Sequence, residues 1–399
     1  MKRLLMYSQD GMGLGHLRRS SNIAQEILTR EPDCDILILA DSPATSLLSS
    51  QRGIDVLKLP TIVKTGSASW KSTSWRNGSL STKVQRIVNL RAKLILQTFL
   101  DFRPDAVLVD HMPVGALGEL KPMLDAAIEG AQRTKLYLGL RDILDSPAVI
   151  RRVWTEVGGY DYLLHYDGVL IYGRRDIYDA TTAYHLLPHA RNIVYCNYVS
   201  RTPTNRSVVT ADPFLLMIGG GGHDAFPVAD AFLDAAPELC RKLRMGALLV
   251  TGPNMPSEQR DALVAKSTPI VRVEISMEEP ESWIQKASAV VTLGGYNSLC
   301  EVLLARKKAL VVPRSGPSEE QRMRSQAFFE RGLIKVLDSS AATPERLTQE
   351  LLHLVDDDDL PDESRIPPLD GAQRSAGVLL DGVPAAQEDV PDAFSAGIA

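Results

Sequence analysis

The chain has 399 residues, 44% of them hydrophobic and 23% charged, with a formal net charge of −5. This length predicts two domains. The composition excludes wholesale disorder, and the charge gives no general basis for nucleic-acid binding. Four scattered cysteines, Cys34, Cys196, Cys240 and Cys300, form no Cys-x-x-Cys pair and no Cys/His cluster. They read as small buried hydrophobes in a reducing, cytoplasmic setting, and a disulfide framework or structural zinc site is not expected.

The opening apolar stretch turns polar at Ser8-Gln9-Asp10, too early for a signal peptide. No apolar run approaches the roughly 20 residues of a membrane helix. Short runs rich in Val, Ile and Leu recur at 4–8, 35–40, 56–59, 106–109, 136–140, 169–172 and 193–195. After a polar break at 200–213 they resume at 214–218, 247–250, 271–275, 289–293, 309–312 and 334–337. Such runs read as strands buried on both faces, and stretches of helical periodicity at 17–29, 298–305 and 319–331 alternate with them. The expected fold is α/β, with two Rossmann-like domains facing across a cleft. The predicted divisions are an N-terminal domain over 1–199, a linker over 200–213 and a C-terminal domain over 214–355. An acidic, proline-containing tail over 356–399 would hold a last helix at 371–380.

Three turns carry the chemistry. Gly11-Met12-Gly13-Leu14-Gly15-His16 joins the first strand to a helix. Its glycines miss the dinucleotide fingerprint spacing, but the turn permits close approach to a helix N-terminus. His16, at the cleft mouth, is the candidate base for an attacking hydroxyl. Asp10, Asp110 and Asp142, at strand or loop ends, are the carboxylate alternatives. The second turn is Gly219-Gly220-Gly221-Gly222-His223-Asp224, where bare amides suit a diphosphate. The third is Gly294-Gly295-Tyr296-Asn297-Ser298, leading into a helix with Glu301. A carboxylate one turn inside a helix can accept bonds from two ribose hydroxyls, and Glu320-Gln321, opening the next helix, can grip sugar hydroxyls. Asp33-Cys34-Asp35 lies at a strand entry away from the predicted cleft and is not expected to hold a metal. Over 61–102, Lys64, Trp70, Lys71, Trp75, Arg76 and Lys83 precede a helix with Arg86, Arg91 and Lys93, a pattern that suits either a loop and packed helix or an anionic surface.

In this order the segments resemble the GT-B glycosyltransferases, and within them the MurG-like, family 28-type branch. The resemblance spans roughly 1–380 and is densest over 294–332. It implies a nucleotide-sugar donor, UDP-linked by analogy, and an inverting, metal-independent transfer with no cofactor. By it, Glu301 would hold the ribose, Glu320 and Gln321 the sugar, and Gly219–Gly222 with Ser298 the diphosphate, while Gly294, Gly295 and Asn297 would also line the donor site. Backbone groups near Met277 would meet the base, and Gly13 and Gly15 would form the acceptor-side loop. Where the branch has two glutamines this chain has Glu320-Gln321, which puts the donor sugar in doubt. The acceptor half matches poorly beyond its first loop, so the acceptor stays open. Peripheral contact with a membrane is compatible. A nucleotide-sugar 2-epimerase and a non-catalytic nucleotide-sugar-binding protein are the alternatives.

Overall fold

Branched aliphatic runs can be covered on both faces only by helices, and that is how this chain is built. The computed structural model describes residues 2–9, 15–42, 53–64, 70–72, 80–131, 133–201, 213–277, 280–316, 318–357 and 359–384. In the first half the elements are β1 (Arg3–Ser8), α1 (Gly15–Arg30), β2 (Asp35–Ala40), β3 (Ile54–Lys58), β4 (Ile62–Lys64), β5 (Trp70–Ser72), α2 (Leu80–Phe102) and β6 (Ala106–Asp110). They continue with α3 (Lys121–Glu129), β7 (Lys135–Arg141), α4 (Pro147–Glu156), α5 (Gly159–Leu163), β8 (Gly168–Tyr172), α6 (Ala180–Ala183) and β9 (Ile193–Tyr195). The second half has β10 (Phe214–Ile218), α7 (Phe226–Leu243), β11 (Gly246–Val250), α8 (Ser257–Val264), β12 (Val271–Glu274), α9 (Pro280–Lys286) and β13 (Ala289–Thr292). It ends with α10 (Tyr296–Leu304), β14 (Ala309–Val311), α11 (Glu320–Glu330), β15 (Lys335–Val336), α12 (Pro344–Asp356) and α13 (Gly371–Asp381).

The first sheet runs β3-β2-β1-β6-β7-β8-β9 and the second β12-β11-β10-β13-β14-β15, every pair parallel. All thirteen expected strand runs are therefore present, in two Rossmann-like lobes. In each sheet the winding reverses beside the lobe's first strand, and that reversal opens a crevice at the strands' carboxyl ends. An antiparallel hairpin, β4 with β5, is added within 61–102; a reading tuned to buried parallel runs passes over such short strands. All four cysteines are free and buried.

The last helix expected at 371–380 is present as α13. Helix α13 packs on α1 of the first lobe: Lys2 Nζ donates to Leu380 O at 2.9 Å, Gly371 N donates to Tyr198 O at 3.0 Å, and Asn197 Nδ2 donates to Asp370 Oδ1 at 2.7 Å. Its Val378 and Leu379 are buried, each worth about 1.5–3 kcal/mol. The segment near 371–380 is thus structural cladding for the N-terminal lobe. Of the proposed linker, 202–212 lies outside the described residues, as does the end of the tail.

Candidate active site

The strand register gathers the site. Tyr7 pairs with Val109 and Asp110 with Gly139, so the segments leaving β1, β6 and β7 emerge side by side. They carry His16, Asp110 and Asp142. In the second lobe Ile218 pairs with Thr292, which places the Gly219 and Gly294 turns next to each other. The two edges face each other, and side chains cross between them.

On the first edge, His16 Nδ1 makes a short hydrogen bond to Asp110 Oδ2. The other Asp110 oxygen accepts from Arg19 Nη2 at 2.7 Å. Arg19 is 1% exposed and Asp110 2% exposed. Arg19 sits over the rings of Tyr172 and Tyr296, 5.3 and 5.6 Å from their centroids. Burial pushes the Asp110 carboxyl up, but Arg19 and then His16 outweigh it and hold the group below the usual carboxylate range. A tautomer that donates its Nδ1 proton to Asp110 leaves Nε2 as the acceptor. Asp110 thus orients His16 and is itself fully engaged. Beside it His111 adopts φ +73°, with its ring centroid 5.1 Å from that of His16. Burial, then the neighbouring His16, pushes the His111 ring well below its ordinary value, so it is neutral.

Asp142, another candidate base, is engaged from the opposite lobe. Arg324 grips it with Nε–Oδ2 at 2.8 Å and Nη2–Oδ1 at 2.7 Å, and the pair is almost wholly buried. Asp10 and Gly13 lie outside the described residues; Gly15 opens α1, and its carbonyl accepts from Asn297 Nδ2 at 3.2 Å.

On the second edge, Gly295 caps α10, whose first two turns carry Asn297, Ser298 and Glu301. Gly294 has φ +78°, and a Cβ there would meet Ser325 Oγ at 2.6 Å. Glycine is required both by backbone and by packing. The tetraglycine turn is partly a packing device: a Cβ at Gly222 (φ +96°) would lie 2.7 Å from Thr251 O, and one at Gly219 2.6 Å from the same atom. Gly220, by contrast, faces open space, and Asn254 N donates to Gly221 O at 2.9 Å. Met277 is partly buried against the C-terminal core.

The buried Glu301 carboxylate is pushed up by burial, only partly offset by Arg18, whose Nη1 lies 3.1 Å away across the cleft. Glu320 behaves oppositely. Burial raises it, but Arg141, Arg324 and Arg314 outweigh that and bring it down to about 2. Arg141 Nη1 reaches Glu320 Oε2 at 2.7 Å from the first lobe, and Arg314 also holds Asp224 at 2.8 Å. Gln321 Oε1 accepts from the Arg314 amide at 3.3 Å. Among the described residues, no group of three or more His, Cys, Asp or Glu side chains is placed to hold a metal ion.

The arginines escaped the sequence reading. Arg19 follows His16 by one helical turn and Arg324 follows Glu320 by one turn, a spacing that juxtaposes side chains. That local signal was available; the partners in the other lobe were not. Tyr296 likewise reads as a helix-start residue, yet its hydroxyl donates to Tyr172 O at 3.0 Å and accepts from Val199 N at 2.8 Å, tying the lobes together.

Residues 215–367 match the glycosyltransferase family 28 C-terminal domain. A curated relative from Lachnoclostridium phytofermentans, a UDP-N-acetylglucosamine--N-acetylmuramyl-(pentapeptide) pyrophosphoryl-undecaprenol N-acetylglucosamine transferase, is 26% identical over 149 residues. That match spans 37% of this chain and 40% of the relative's length. Among solved structures, the glycotransferase of kitacinnamycin superposes with a TM-score of 0.65 at 15% identity, covering 96% of this chain and 99% of that one. A putative UDP-N-acetylglucosamine 2-epimerase from Listeria monocytogenes superposes with a TM-score of 0.58 at 12% identity, covering 96% and 93%. No helix among the described residues is long and apolar enough to cross a membrane. The family 28 C-terminal domain match over 215–367 thus covers the second lobe, and the two lobes together have the fold of these solved structures.

Proposed function

We propose that the protein transfers a sugar from a nucleoside diphosphate donor to an acceptor hydroxyl. The observation that carries this is a part-buried His16–Asp110 pair on one lobe, with the α10 N-terminus and the Glu301 carboxylate on the other. In this mechanism the acceptor oxygen attacks the anomeric carbon as the bond from that carbon to the diphosphate oxygen breaks. His16 Nε2 takes the hydroxyl proton, and Asp110 stabilises the resulting imidazolium. Attack opposite the leaving group inverts the anomeric centre. Glu301 binds the ribose, the amides near Gly220 and the α10 N-terminus face the diphosphate, and Glu320 and Gln321 face the sugar. These groups supply the electrostatics without a metal ion or cofactor. The setting is cytoplasmic, with peripheral membrane contact for a lipid-linked acceptor.

The epimerase-like superposition keeps a second reading in play, since the fold alone serves both chemistries. A panel of nucleotide sugars, incubated with and without cell extract, separates them by nucleotide release and product mass. Acceptor-dependent release is the expected result. An isomerised donor, with no acceptor consumed, supports the epimerase; tight binding without turnover refutes both enzymes.

A further inference from the structure

We propose that Arg18 is the acceptor-lobe cation that neutralises the departing diphosphate, an assignment that rests on the sugar-transfer reading above. Among the described residues, four arginines at the cleft carboxylates are committed to close pairs, while Arg201 lies farther out, 3.8 Å from Glu281. Arg19 is tied to Asp110, Arg324 to Asp142, Arg141 to Glu320, and Arg314 to Asp224 and Glu320. Each of these four is 22% exposed or less. Arg18 differs: its side chain is 45% exposed, and its ion pair is a single contact from Nη1 to Glu301 Oε1 at 3.1 Å.

Glu301 is the group assigned to the ribose hydroxyls. Ribose binding there competes for the carboxylate oxygens and frees the Arg18 guanidinium. The same binding brings a 5′-diphosphate to the start of α10, where Asn297 Nδ2 already touches the Gly15 carbonyl at 3.2 Å. Gly15 opens the helix that carries Arg18 one turn later. The cation released by the ribose therefore lies beside the phosphates, and a guanidinium fork matches two phosphate oxygens. When the bond from the anomeric carbon to the β-phosphate oxygen breaks, its electron pair stays on that oxygen. Arg18 meets the added negative charge while the acceptor proton goes to His16.

Calorimetric titration tests this with wild type, R18Q and R18K against UDP and GDP, each compared with its own nucleoside. The exposed position of Arg18 lets the variants keep the fold, which thermal unfolding verifies. The expected result is at least a tenfold loss of diphosphate affinity in R18Q, nucleoside affinity unchanged or raised, and partial recovery in R18K. Turnover of a nucleotide sugar falls in the same order. Equal losses for diphosphate and nucleoside, or no loss, overturn the assignment. A gain for both overturns it too, by showing that Arg18 only shields Glu301. A wild-type protein that binds neither diphosphate nor nucleoside overturns the sugar-transfer reading along with it.

Discussion

His16, Asp110 and Arg19 pair with one another inside the N-terminal lobe, whereas Glu301 of the C-terminal lobe takes its arginine from across the cleft. The first cluster is almost closed to water and complete without a ligand. In the proposed proton transfer, its dipoles and charges would need no rearrangement, the condition for effective electrostatic catalysis. The second contact joins a buried carboxylate to a half-exposed cation, and a ligand can exchange for it. Under the proposed mechanism, the first cluster would move the proton and the second contact would change partners on binding. The ion pair of Arg324 with Asp142 belongs with the first kind chemically, although it crosses between the lobes.

That contrast can be broken at its strongest point. His16→Ala is expected to lower turnover about 10²–10⁴-fold and leave nucleotide affinity within a factor of about two, measured by initial rates and titration. Wild-type turnover would remove His16 as the base. The next largest effect is on stability. Arg324→Met strands the buried Asp142 carboxylate and is expected to cost about 3–5 kcal/mol, read by chemical denaturation. A loss under about 1 kcal/mol would show that the pair is solvated and exchangeable, like Arg18 with Glu301.

The smallest effect sharpens the comparison through pH. Burial raises the Glu301 carboxyl, with Arg18 opposing, whereas Asp110 is lowered by Arg19 and His16 against its burial. A group raised in the folded state contributes stability below its unfolded value, lost as pH rises through the raised value; a lowered group contributes above its unfolded value, lost as pH falls through the lowered one. Protonated Glu301 accepts fewer hydroxyl bonds, so nucleoside affinity should start to fall on acidification above the ordinary carboxylate value of about 4.3. Titration of a nucleoside across pH measures this. Glu301→Gln should flatten the profile and weaken binding about tenfold. An unchanged profile would take Glu301 out of the ribose site.

Much of the fold was legible because its signals are local. Runs such as 106–109 and 289–293 are apolar on both faces, and only strands inside a parallel sheet make sense of that. The Gly294 turn was legible for a related reason: a positive φ and a close neighbour both exclude a side chain there. The tetraglycine was legible as a turn, and the close approach of two of its glycines to Thr251 was not. Asp142 illustrates the limit, since a carboxylate at a strand end looks the same in sequence whether it is free or gripped.

From the sequence alone came the two strand series, the glycine turns and the set of polar residues brought to the carboxyl ends of the strands. Periodicity and backbone freedom are properties of neighbouring residues. Only the tertiary structure decided which charges meet: Arg324 lies 182 residues from Asp142, and Arg18 lies 283 residues from Glu301. It also decided that α13 returns to cover α1. Such pairings depend on how two separately wound sheets face each other, and no local pattern along the chain encodes that.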